Sequence, residues 1–136
     1  MRAAALFVTL LTAAPGIAAA QAPSDTLPLR VAEKQIEAFN RRDLNAVMVL
    51  WADDATVSEF PTGKVLWTKA ALRNRFATIL KSPGVPVVRV VPRVVNGVFV
   101  VDNEVWDGLP NARNSAVWMY EIRGGLIRRG WTVRLP

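Results

Sequence analysis

The most constraining feature of the sequence is a change of hydrophobic period at Ser82-Pro83-Gly84. Before it, apolar residues recur three and four apart, the spacing of one helix face; after it they alternate, the spacing of one strand face. Leu29, Ala32, Ile36 and Phe39 form the first stripe, with Asp25-Thr26 and Pro28 as its start signal and Asn40-Arg41-Arg42 as its close. Asp43 is placed to cap a second, short helix bearing Leu44, Val47, Met48 and Trp51, which Asp53-Asp54 ends. Ala55 to Phe60 reads as a first strand and Pro61-Thr62-Gly63 as a turn. Thr68 caps a third helix carrying Leu72, Phe76, Ile79 and Leu80.

Beyond Gly84 the chain reads as strands. Val85 to Val95 is rich in valine, and its Pro86 and Pro92 suit an edge position or a bulge. Asn96-Gly97 is a hairpin signal, Val98 to Trp106 the next strand, and Asp107 to Asn111 a longer connection. Asn114 to Ile122, a Gly124-Gly125 turn and Leu126 to Arg134 complete the pattern. Helices followed by antiparallel strands predict an α+β domain, with about three helices on one face of a curved sheet.

Composition removes several chemistries. The 136 residues include no cysteine and no histidine, which excludes a Ser-His-Asp triad, a thiol nucleophile, disulfides and a His/Cys zinc site. No cofactor and no metal are expected, although three carboxylates could hold a hard cation weakly. The net charge of +6 is spread along the chain as Arg41-Arg42, Arg73, Arg75, Arg89, Arg93 and Arg128-Arg129. A nucleic-acid binder gathers its basic residues into one patch, so a solvated basic surface is expected instead, with no nucleic acid as partner.

The first 22 residues stand apart. Arg2, the apolar stretch Ala3 to Leu11, the break at Pro15-Gly16 and the small residues of Ala20-Gln21-Ala22 are the parts of a signal peptide. Cleavage after Ala22 would leave residues 23–136 as an exported domain, periplasmic or secreted, with no stable membrane anchor.

The stretches Ala38-Phe39-Asn40-Arg41-Arg42-Asp43-Leu44 and Trp51-Ala52-Asp53-Asp54-Ala55-Thr56-Val57 resemble the nuclear transport factor 2-like superfamily, in the branch of ketosteroid isomerase and the SnoaL-like polyketide cyclases. The later order of a helix and long strands, with a Gly-Gly turn and a tryptophan-bearing last strand, resembles it too. The resemblance implies a cone-shaped sheet whose concave face carries the helices and leaves a small-molecule cleft. It also implies a homodimer through the sheet. Function does not follow from the fold, because isomerases, cyclases, hydrolases and passive binders share it.

Within that frame, Glu59 falls where the isomerases keep their carboxylate base. Strand alternation places Ala55, Val57 and Glu59 on one face, so an apolar face ends in a carboxylate. Two readings stand: a desolvated general base, or a strand-end glutamate in water or paired with a cation. Alternation likewise puts Val98, Val100, Asp102, Glu104 and Trp106 together. Either this face lines the cleft, with Asp102 and Glu104 meeting Arg89, Arg93 or Arg129 and Asp102 helping catalysis, or it is the solvated face.

The resemblance aligns Gln35 and Trp118 with the two oxyanion-binding acids of the isomerases. Neither is an acid, which argues against steroid isomerisation. Tyr120 shares a strand face with Ala116 and Trp118 and is an alternative donor. Gln35, Glu104, Trp118 and Tyr120 are the expected ligand-binding residues. Of the five tryptophans, Trp51 is assigned to the core, Trp118 to the pocket wall, and Trp67 and Trp106 to its rim. Both an acid–base enzyme and a non-catalytic binding module fit this reading.

Overall fold

The structure, a computed structural model, describes residues 26–108 and 115–133. The expected signal peptide, Asp25 of the expected helix-start signal, the Leu109 to Asn111 connection, Asn114 and Arg134 lie outside the described residues. Helix α1 (Thr26–Asn40) buries Val31, Ala32, Gln35, Ala38 and Phe39, so its inner face carries one polar side chain among apolar ones. Helix α2 (Leu44–Met48) is a single turn, capped by Asp43, whose carboxylate accepts from the amide of Ala46 at 2.9 Å.

Trp51 does not extend α2 as its spacing predicted. It opens strand β1 (Trp51–Phe60), because pairing with the last strand outweighs a local helical period. The Asp53-Asp54 pair, expected to stop a helix, sits where the β1 register shifts, and both residues face solvent. A short strand, β2 (Val65–Thr68), was not anticipated; it returns from the Pro61-Thr62-Gly63 turn and pairs with β1. Helix α3 (Lys69–Lys81) follows with Thr68 as its cap and Leu72, Phe76 and Leu80 buried.

Strands β3 (Val87–Asn96), β4 (Phe99–Asp107), β5 (Ser115–Arg123) and β6 (Leu126–Val133) form an antiparallel meander. The turn between β5 and β6 places both Gly124 and Gly125 at positive φ, 58° and 77°, as a two-residue hairpin matched to strand twist requires. The six-stranded order is β2-β1-β6-β5-β4-β3. One pair, β1 with β6, is parallel, because the whole meander intervenes as a crossover between them. The sheet is therefore mostly antiparallel, and the helices cover one face of it.

The core lies under that cover. Trp51, Val57, Leu72, Val100, Tyr120, Ile122 and Ile127 are almost fully buried. The Trp51 ring lies on Gly130 of β6, where an added Cβ would stand 3.0 Å from Cη2 of the ring. At the helix–sheet boundary, the Asn40 side chain donates to the carbonyl of Val88 at 2.9 Å and accepts from its amide at 2.8 Å. This pair ties the end of α1 to edge strand β3. No helix among the described residues is long and apolar enough to cross a membrane.

Candidate functional site

The inner face of β4 carries the polar residues, so the solvated reading of Asp102 and Glu104 does not hold. Asp102 is fully buried and Glu104 is 4% exposed. Across the sheet, direct partners share a face, which gives the row Arg93, Asp102, Trp118, Thr132, Glu59 from β3 to β1. Val90, Glu104 and Ala116 make the next row, and Val88 with Trp106 the one after it.

Arg93 reaches the inner face through a bulge. Val88 and Val90 point inward, the register shifts between Val90 and Arg93 at Val91-Pro92, and Arg93 and Val95 then take the inward positions. Arg93 consequently binds Asp102 in two-pronged fashion, Nε to Oδ1 at 2.6 Å and Nη2 to Oδ2 at 2.8 Å. A buried carboxylate is tolerable only with such a partner. Arg89, by contrast, pairs with exposed Asp107, and Arg129 approaches Glu121 at 3.8 Å.

A cleft opens between α1, α3 and strands β3 to β5. It is walled by Phe39, Phe76, Trp106 and Trp118, with Gln35, Glu104 and Tyr120 as its polar residues. About 30 Å³ of it can take water, room for two or three molecules at ~10–15 Å³ each, and the space grows to about 350 Å³ when its open mouth is counted. Trp118 stacks on Tyr120, with 9° between the planes. Phe39 meets both Phe76 and Trp106 edge to face.

A chain of hydrogen bonds runs through this wall. Gln35 Nε2 donates to the Tyr120 hydroxyl at 3.0 Å, and that hydroxyl donates to Glu104 Oε1 at 3.2 Å. Trp106 Nε1 donates to Glu104 Oε2 at 3.1 Å. Burial pushes the Glu104 carboxyl up to about 8, and the Asp102 charge adds to this, against the opposing hydrogen bonds from Tyr120 and Trp106. Tyr120 is held well above its ordinary value, by burial first and by the Glu104 charge next. Gln35 Oε1 is buried with no hydrogen-bond partner.

The cleft gathers Gln35, Glu104, Trp118 and Tyr120, the four expected ligand-binding residues. It does not gather the two expected catalytic ones. Asp102 lies behind the wall with both oxygens taken by Arg93. Glu59 shares the inner row, but at a strand spacing of about 4.8 Å its Cα is roughly 10 Å from that of Trp118. Its carboxylate accepts from Thr62 Oγ1 at 3.3 Å in the turn after β1. Trp106 lines the cleft, while Trp67 lies on β2 beneath the Arg75 guanidinium, 4.5 Å from its ring centre. Phe39, Phe76 and Val88 belonged to apolar patterns that do not distinguish core from cleft wall. Among the described residues, no three acidic side chains converge in a way that could hold a metal ion.

A curved α+β sheet with helices on one face and a cleft beneath them has the architecture of a nuclear transport factor 2-like domain. Within that class the chain belongs to the SnoaL-like domain family, whose model matches residues 32–130. Solved structures agree on the fold. An uncharacterised cystatin-fold protein from Novosphingobium aromaticivorans is 22% identical, covering 79% of this chain and 97% of its own, with a TM-score of 0.68. A candidate ketosteroid isomerase from Kribbella flavida is 16% identical over 83% and 81%, with a TM-score of 0.65. IdmH, a candidate polyketide cyclase from Streptomyces antibioticus, is 21% identical over 77% and 89%, with a TM-score of 0.63. No curated protein sequence matches the chain.

Proposed function

We propose that this SnoaL-like domain takes a small organic molecule into the α1–β4–β5 cleft and that Glu104 exchanges a proton with it. The observation that carries the reading is a carboxyl group buried in the lining of an apolar cleft, with hydrogen-bond donors on both of its oxygens. A group that ionises near neutrality in a dry site can give or take a proton without a large energetic penalty. Asp102 and Arg93 then act from behind, Asp102 resisting the ionisation of Glu104 and Arg93 limiting that resistance. The candidate isomerase and the candidate cyclase among the structural neighbours fit a small-molecule site.

Ring opening of 5-nitrobenzisoxazole tests this, because one proton abstraction by a desolvated carboxylate is all the reaction needs. The expected result is a rate that rises with the ionisation of Glu104 and falls about 100-fold or more in Glu104→Gln. Binding of the compound without acceleration supports the second reading, a passive ligand-binding module.

Two further expectations belong to the same proposal. Export rests on the N-terminal segment, and a homodimer through the sheet rests on its outer face. There Val94, Val101, Met119 and Trp131 are direct neighbours in one row, and Phe60 and Phe99 are 47% and 43% exposed. A patch of this kind is a common mark of an interface. Light scattering showing a monomer at micromolar concentration would remove the dimer from the proposal.

A further inference from the structure

The donors around Glu104 suit a carboxylate: the Tyr120 hydroxyl and the Trp106 indole each direct a proton at one of its oxygens, and Gln35 supports Tyr120 from behind. Among the described residues no cationic side chain is hydrogen-bonded to Glu104, and the cation that acts on it, Arg93, is committed elsewhere. Arg93 on β3 has both of its prongs on Asp102, and its contact at 4.0 Å is with Glu33 of α1. From α3 the cleft receives only Phe76, and from β5 Trp118 and Tyr120. A second acceptor, Gln35 Oε1, is buried in the same wall without a donor.

The cleft thus offers a carboxyl whose ionised form has no cation bound to it, and an acceptor, Gln35 Oε1, without an N–H or O–H partner. The walls suit a cation, since the faces of Phe, Tyr and Trp rings carry the negative part of their quadrupole. A ligand offering only a carbonyl would bring a third acceptor and leave Gln35 Oε1 unpaired.

We propose that the cleft selects a small organic cation, a protonated amine on a flat apolar group, whose N–H groups donate to Glu104 and Gln35 while the aromatic walls surround the charge. The inference rests on the reading of the cleft as a small-molecule site and names the class of its ligand. The net charge of +6 does not oppose it at close range, because exposed charges are screened beyond about 10 Å.

Benzylammonium and benzyl alcohol, nearly equal in shape and different in charge, test the inference by calorimetry on the full chain near neutral pH. Wild-type protein is expected to bind benzylammonium at least about tenfold more tightly. Binding should also release a proton from Glu104 into the buffer, seen as a heat that depends on the buffer's own ionisation. Glu104→Gln should erase the preference, and Gln35→Met should reduce it. Equal or tighter binding of benzyl alcohol overturns the cation and leaves the small-molecule site standing. A preference that survives Glu104→Gln also overturns it, and failure of both compounds to bind at millimolar concentration overturns the site as well.

Discussion

Arg93 and Asp102 face each other across the β3–β4 ladder with two hydrogen bonds between them, and the bulge at Val91-Pro92 puts the guanidinium on the inner side. Without the bulge, alternation would turn position 93 outward and leave a fully buried carboxylate alone.

Removing one partner should therefore be costly. Arg93→Met is expected to lower stability by about 3–5 kcal/mol, the cost of stranding a buried charge. Pairing it with Asp102→Leu should restore most of that loss, since an apolar pair can replace a buried ion pair. Urea denaturation of the two single variants and the double variant checks this. Additive losses would mean that the pair is not the unit described.

Stability should depend on pH through Glu104. Its folded value is raised to about 8 from an ordinary 4.5, so between these limits the native state holds a proton that the unfolded chain has lost. The favourable contribution is complete below about 4.5 and disappears as pH rises through about 8. At about 1.36 kcal/mol per pH unit its ceiling is about 5 kcal/mol. Urea midpoints followed across this window should fall with rising pH in the wild type. They should be flatter in Glu104→Gln.

Gly130 is required by its neighbour rather than by its own backbone. A methyl group there meets the Trp51 ring at 3.0 Å and Val57 Cγ2 at 3.3 Å, inside the packed core. Gly130→Ala is expected to cost about 1–3 kcal/mol by overpacking. Trp51→Phe in the same background should recover part of it, which thermal unfolding of the pair would show.

Much of the architecture was legible because local chemistry fixed it. Thr68 caps α3 as its position suggested, and Asn96-Gly97 and Gly124-Gly125 make the turns their residue types favour. Pro92, read as suiting an edge position or a bulge, lies at the bulge of edge strand β3. What stayed hidden depended on pairing at a distance. The helical spacing of Trp51 yielded to β6, and β2 took shape only because β1 offered it an edge. For the site, alternation grouped Asp102 with Glu104 correctly but carries no sign, so the inward sense awaited the fold. Glu59, read either as a base or as a strand-end glutamate, lies outside the cleft for a simple reason. Two strand widths separate it from the Trp118 row position that lines the wall.

The two acidic residues can be separated by one comparison. Glu59 sits in the turn-bound end of β1 with Thr62, while Glu104 lines the cleft beside Tyr120 and Trp106. Glu59→Gln is therefore expected to change benzisoxazole ring opening and benzylammonium affinity by less than about twofold, while Glu104→Gln removes both effects. Trp118→Ala adds a control for shape, because it opens the wall without touching either carboxyl; it should weaken binding and leave the pH dependence of the rate in place. Loss of activity in Glu59→Gln with full activity in Glu104→Gln would return the chemistry to β1.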